Sequence, residues 1–91
     1  MKEKIEVLLK TLGNAFPAGS VEYKHAESRH TIVLTMAGAT NRVDFSEEVV
    51  AAKDAGHLKR LSKQVAAHLQ HGPAGQPKHL AVKIDGIHEE F

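Results

Sequence analysis

The sequence predicts an α+β fold, a two-layer sandwich in the order α-β-β-β-α-β. In it a four-stranded, mostly antiparallel sheet carries both helices on one face. Three observations predict it. Apolar residues recur with a helical period over 2–12 and 54–71, and with a period of two between these stretches and after the second. Glycine and proline stand where the period changes. Two hairpins, placed independently by their turns, put their apolar residues on one common face.

The first helix is expected over Lys2–Leu12. Ile5, Leu8, Leu9 and Leu12 form its apolar stripe, with Lys2, Glu3, Lys4, Glu6 and Lys10 off it. Gly13 is placed to cap it and Pro17 bars continuation. A helix this short is marginal alone, so it must dock. From Val21 the period becomes two: Val21, Tyr23 and His25 alternate with Glu22, Lys24 and Ala26. Ile32, Leu34 and Met36 alternate with Thr31, Val33 and Thr35. A tight turn at Glu27-Ser28 sets Tyr23 opposite Ile32, Val21 opposite Leu34 and His25 opposite His30. A second turn at Gly38-Ala39, with glycine first, sets Leu34 opposite Val43 and Ile32 opposite Phe45.

Ser46–Ala52 reads as a turn or bent helical piece, followed by a break. The main helix then runs from Asp54 to His71, capped by Asp54 and ended by Gly72-Pro73. The rival is one continuous helix from Asp44 or Ser46, which puts Asp54 in the apolar stripe and Gly56 in a helix interior, at about 1 kcal/mol relative to alanine. Leu58, Leu61, Val65 and Leu69 form the buried side of the main helix. Gly72–Pro77 is a loop, and Lys78–Asp85 a fourth strand with Leu80, Val82 and Ile84 on one side. Asp85-Gly86 turns the chain, and Ile87 and Phe91 suggest a last half-turn. The opposite sheet face shows Glu22, Lys24, Thr31, Val33, Thr35, Arg42, Asp44 and Lys83 to solvent.

Composition bounds the function. The 91 residues suit one domain with a modest core, aliphatic because only four residues are aromatic. A charge of +1 argues against a dedicated, charge-driven nucleic-acid binder, although seven histidines make the charge sensitive to acid. The absence of cysteine excludes a thiolate metal site and a cysteine nucleophile, and favours the cytosol. No signal peptide and no membrane span is expected.

Candidate chemistry lies in the histidines. His68 and His71, three apart at the end of the main helix, are placed to reach one ion, with His79 following the loop. No His-Glu-x-x-His motif supports this, and the helix dipole alone favours histidine at such an end. His25 and His30, opposed in a hairpin, are a second pair able to hold a metal or to repel each other on acidification. Neither Gly-x-Ser-x-Gly nor any phosphate-cradling glycine motif is present. No catalytic residue, cofactor or small-molecule substrate is therefore implied.

The order α-β-β-β-α is similar to that of double-stranded RNA-binding domains, where basic residues at the start of the second helix grip phosphates. Lys53, Lys59, Arg60 and Lys63 occupy that location here. The chain departs from the pattern by placing Asp54 where a lysine cluster belongs and by adding a strand after the helix. The expectation is thus a non-enzymatic binding or assembly module, acting through a protein partner or as a homodimer. A nucleic-acid-binding helix and a small metal site are the alternatives.

Overall fold

The computed structural model describes residues 2–26, 28–36, 38–70 and 77–90. It is an α+β fold, with three helices and a five-stranded mixed sheet. The helices are α1 (Lys2–Ala15), α2 (Glu47–Ala52) and α3 (Ala55–Gln70). The strands are β1 (Ser20–Ala26), β2 (Arg29–Met36), β3 (Ala39–Ser46), β4 (His79–Lys83) and β5 (Gly86–Glu90). They lie side by side in chain order, antiparallel except where β4 runs parallel to β3. Crossing from β3 to a parallel β4 requires a long connection, which α2 and α3 supply. The expected order did not count α2, read there as a turn or bent helical piece, and lacked the fifth strand.

The covered face is aliphatic, as the alternation predicts. Ile32, Leu34, Val43, Phe45, Leu80 and Val82 are buried there against Leu8 and Leu12 of α1 and Leu58, Val65 and Leu69 of α3. Tyr23 and Leu61 pack at its margin. At roughly 25 cal/mol for each Å² of apolar surface removed from water, this layer supplies the main drive for folding.

The first hairpin has the expected register, with Val21 opposite Leu34, Tyr23 opposite Ile32 and His25 opposite His30. The second is displaced by two residues: Ile32 faces Val43 and Leu34 faces Asn41. Met36 pairs with Ala39, and Gly38, just before Ala39, takes a φ of 78°. Glycine reaches that region without the steric penalty of a side chain. A shift of two preserves parity, so the inward residues remain inward. Asn41 is buried but satisfied: its Nδ2 donates to the Leu34 carbonyl at 3.4 Å and its Oδ1 accepts from the Lys78 amide at 3.0 Å.

The expected break before the main helix is present. Ser46 caps α2, its Oγ accepting from the Val49 amide at 3.1 Å. Asp54 caps α3, its Oδ1 accepting from the His57 amide at 2.8 Å. The ends of α2 and α3 have lysine partners that the sequence did not reveal. Lys4 Nζ donates to the Val50 and Ala51 carbonyls at 2.9 and 3.2 Å, and Lys78 Nζ to the His68 carbonyl at 2.8 Å. Both supply donors to carbonyls that a helix end leaves without partners.

Three boundaries differ from expectation. The first helix passes Gly13 and runs to Ala15, stopping where Pro17 forces it. The fourth strand ends at Lys83, because Lys83 pairs with Gly86 and leaves Ile84-Asp85 as the turn. Residues 86–90 are a strand rather than a half-turn, since pairing with β4 satisfies their backbone groups. The expected Gly72-Pro73 stop, His71 and Phe91 lie outside the described residues. No helix among the described residues is long and apolar enough to cross a membrane.

Candidate functional site

Two polar constellations stand out, one on each side of the sheet. The first lies at the end of the β1–β2 hairpin, on the covered side. His25 and His30 are cross-strand partners, and their rings stack with centroids 4.3 Å apart and planes 5° from parallel. His25 is exposed, but His30 is only 1% exposed. Glu47, the first residue of α2, reaches back over both. Its backbone amide donates to the Ser28 carbonyl at 3.0 Å, extending the β2–β3 ladder by one step. This anchor places its carboxylate oxygen 3.1 Å from His25 Nε2 and 3.0 Å from His30 Nε2.

The two contacts are not equivalent. His25 Nε2 donates a hydrogen bond to Glu47. His30 Nε2 is buried and makes no hydrogen bond, although the carboxylate lies 3.0 Å away. The other nitrogen of His30, Nδ1, is hydrogen-bonded to the Tyr23 hydroxyl at 2.6 Å. Burial pushes the His30 imidazole below the ordinary histidine value, and the charge of Glu47 opposes this. Burial, then the charge of Glu47, raises the Tyr23 phenol. The hydrogen bond from His25 holds the Glu47 carboxyl below its usual range against the cost of desolvation. One ligand atom from each of His25, His30 and Glu47 falls within 4.8 Å of the others.

The second constellation crosses the uncovered face. Registers align Lys24, Thr31, Asp44, Ala81 and His88 in one row, and Glu22, Val33, Arg42 and His79 in the next. Asp44 is buried in the middle. Thr31 Oγ1 donates to its Oδ1, and His79 Nε2 to its Oδ2 at 2.7 Å. Arg42 Nε lies 3.3 Å from Oδ1 and 3.2 Å from Oδ2. Burial works to raise the Asp44 carboxyl, but the hydrogen bonds from Thr31, His79 and Arg42 outweigh it and hold the group below its ordinary value. Beside this network lie two shallow concavities. One, of about 290 Å³, is lined by Ser28, Arg29, Asp44, Ser46 and Lys83 among others. The other, of about 270 Å³, is lined by Lys24, Arg29, Thr31, Val33 and Arg42, with Ala26. Arg29 belongs to both.

The residues singled out from sequence are dispersed by comparison. Lys59, Arg60 and Lys63 are exposed on α3, and Lys53 is half-buried in the break before it. His68 is half-buried near the end of α3, and His71 is not among the described residues. His79, expected beside them, lies on the uncovered face against Asp44. Among the described residues, the group of three metal-ligating side chains is the one built on the His25–His30 pair. The cross-strand histidines were legible from the first turn; the contribution of Glu47 and the burial of His30 were not.

No protein-family model, curated protein or solved structure matches this chain.

Proposed function

We propose that the chain is a cytosolic, non-enzymatic binding module whose uncovered sheet face receives an acidic segment of a partner protein. One observation carries this reading. Lys24, Arg29, Arg42 and Lys83 frame two adjoining concavities, whereas the central carboxylate, Asp44, is already engaged by Thr31, Arg42 and His79. Lys24 and Arg29 make no ion pair among the described residues. The chain as a whole is near neutral, whereas on this face the four cations outnumber Glu22 and Asp44 among the described residues. Complementary charge of this kind sets partner choice and encounter rate.

The same charges disfavour two copies meeting face to face, since that opposes like with like. They also favour a peptide over nucleic acid. Tyr23 and Phe45, the aromatic residues that the sheet contributes, belong to the covered side and offer no platform on which bases can stack. The concavities suit carboxylate side chains entering one at a time.

The test is a titration of isotope-labelled protein with a glutamate-rich peptide at low and high salt. Amide shifts are expected at Lys24, Arg29, Thr31 and Arg42, and Arg29→Glu weakens binding. Screening over about 10 Å at 0.1 M salt makes the interaction strongly salt-dependent. Unmoved signals on this face at low salt, or shifts confined to Lys59, Arg60 and Lys63 when short duplex RNA replaces the peptide, would refute the reading. Sedimentation at two protein concentrations separates it from self-association, with a monomer expected at both.

A further inference from the structure

We propose that His25, His30 and Glu47 form a binding site for a divalent transition-metal ion of the zinc class, with Tyr23 as the residue that orients His30. The site is independent of the uncovered face and lies on the other side of the sheet.

The ligand set is the first argument. Two imidazoles and one carboxylate are ligands that suit zinc and its neighbours, and three protein ligands leave a fourth position open. The second is His30 itself. A buried ring nitrogen without a hydrogen bond is uncommon in folded proteins and calls for an explanation. Here that nitrogen is Nε2, which lies 3.0 Å from the carboxylate without a hydrogen bond to it, and a bound cation satisfies both.

The third argument is the tautomer. With a proton on Nδ1, His30 donates to the Tyr23 oxygen 2.6 Å away and leaves the Nε2 lone pair unprotonated for an ion. Metal-binding histidines are commonly held in this way by a partner on the second nitrogen.

The geometry is close to what coordination requires. For bonds of about 2.1 Å, tetrahedral ligand atoms lie about 3.4 Å apart. The three candidate atoms are mutually within 4.8 Å, and each histidine nitrogen is already within 3.1 Å of the carboxylate. Stacked parallel rings keep their lone pairs in separate, nearly parallel planes, so one ring must turn for both to converge on one ion. His25 is 53% exposed and free to do so, while His30 is held by burial and by Tyr23. The ligands come from β1, β2 and the start of α2, so a bound ion ties the hairpin end to the helix that follows β3.

The test is calorimetric titration of zinc chloride into tag-free protein stripped with a chelator, alongside imidazole NMR. One equivalent of zinc binds, the His25 and His30 ring signals move together, and those of His57, His79 and His88 stay in place. His25→Ala and Glu47→Gln each weaken binding roughly tenfold or more, and Tyr23→Phe by about tenfold. His25 and Glu47 are both partly exposed, so their replacement leaves the core intact; an unchanged amide spectrum verifies this. Absence of saturable binding overturns the proposal. So does affinity unaffected by His25→Ala and Glu47→Gln, or a response confined to His68, His71 and His79.

Discussion

Replacing Asp44 with alanine tests whether the network on the uncovered face is structural. The carboxylate accepts from three donors, and a hydrogen bond to a charged group contributes about 1.5–3 kcal/mol. The three do not sum, because burying the carboxylate itself costs several kcal/mol. Two of the donors also escape easily: the Arg42 side chain is 42% exposed and that of His79 34%, so both recover water when Asp44 is gone. Thr31 does not, being 7% exposed with its hydroxyl directed at Asp44. A buried polar group left unsatisfied costs about 1–3 kcal/mol. The expected loss is therefore about 2 kcal/mol, most of it stranded at Thr31.

The assay is urea unfolding at pH 7, with an unchanged slope to show that only stability has moved. For a domain of this size the loss lowers the melting temperature by on the order of 10 °C. Thr31→Val on top of Asp44→Ala should restore about 1 kcal/mol, because it removes the stranded hydroxyl. A loss under about 0.5 kcal/mol with no coupling to Thr31 would refute the reasoning, which sets typical surface substitutions as its baseline. The acid limb gives a second readout. The folded carboxyl is held below its ordinary value, so its contribution is present above about pH 4 and lost as pH falls through the lower folded value. Wild type should steepen there and the alanine variant should not. Removing the one central carboxylate also strengthens binding of the glutamate-rich peptide at low salt.

Asp54→Ala should cost about 1 kcal/mol by removing the cap on the His57 amide, measured by thermal unfolding. Gly56→Ala should do the opposite and stabilise by about 0.5 kcal/mol, because an added Cβ meets nothing closer than Asp54 Oδ1 at 3.5 Å. Gly38→Ala should cost about 1–2 kcal/mol through its positive φ alone, since no atom lies within 4 Å of the added Cβ; Gly38→Asn should cost less. His30, kept neutral by burial, contributes stability that is full above about pH 6.5 and lost as pH falls from there to its depressed folded value. Metal-free protein should therefore weaken as pH falls below about 6.5 in urea titrations. His30→Gln, a variant that cannot take up that proton, should flatten the slope.

The face pattern was legible because it depends only on parity. The first hairpin could be registered residue by residue, since a tight turn at Glu27-Ser28 sets Val21, Tyr23 and His25 opposite Leu34, Ile32 and His30. The second could not. Both a turn at Gly38-Ala39 and the register that pairs Met36 with Ala39 bring Val43 and Phe45 to the same face, and alternation does not distinguish alignments two residues apart. What decides between them is backbone geometry at Gly38 and the clamp of Asn41 on Leu34 and Lys78. The fifth strand was missed for a related reason. Ile87, His88 and Glu89 alternate too briefly to signal a strand, and their conformation comes from pairing with β4.

The two constellations were illegible to different degrees. On the uncovered face, Thr31 and Asp44 were each expected to face solvent, but the two-residue shift is what makes them partners, and whether a carboxylate is free or engaged depends on the donors around it. One of these, His79, arrives only through the parallel crossover. At the hairpin end, the two-residue shift matters most. It brings Ser46 opposite Arg29, so the chain leaves β3 one residue before Glu47, whose amide still reaches Ser28. With Ser46 as the cap, α2 starts at that point and folds the Glu47 carboxylate over His25 and His30. A strand continued through Glu47 would instead spend that residue in the ladder. The same cap that ends the strand therefore assembles the site, and Ser46→Ala should loosen Glu47 and the proposed zinc affinity together.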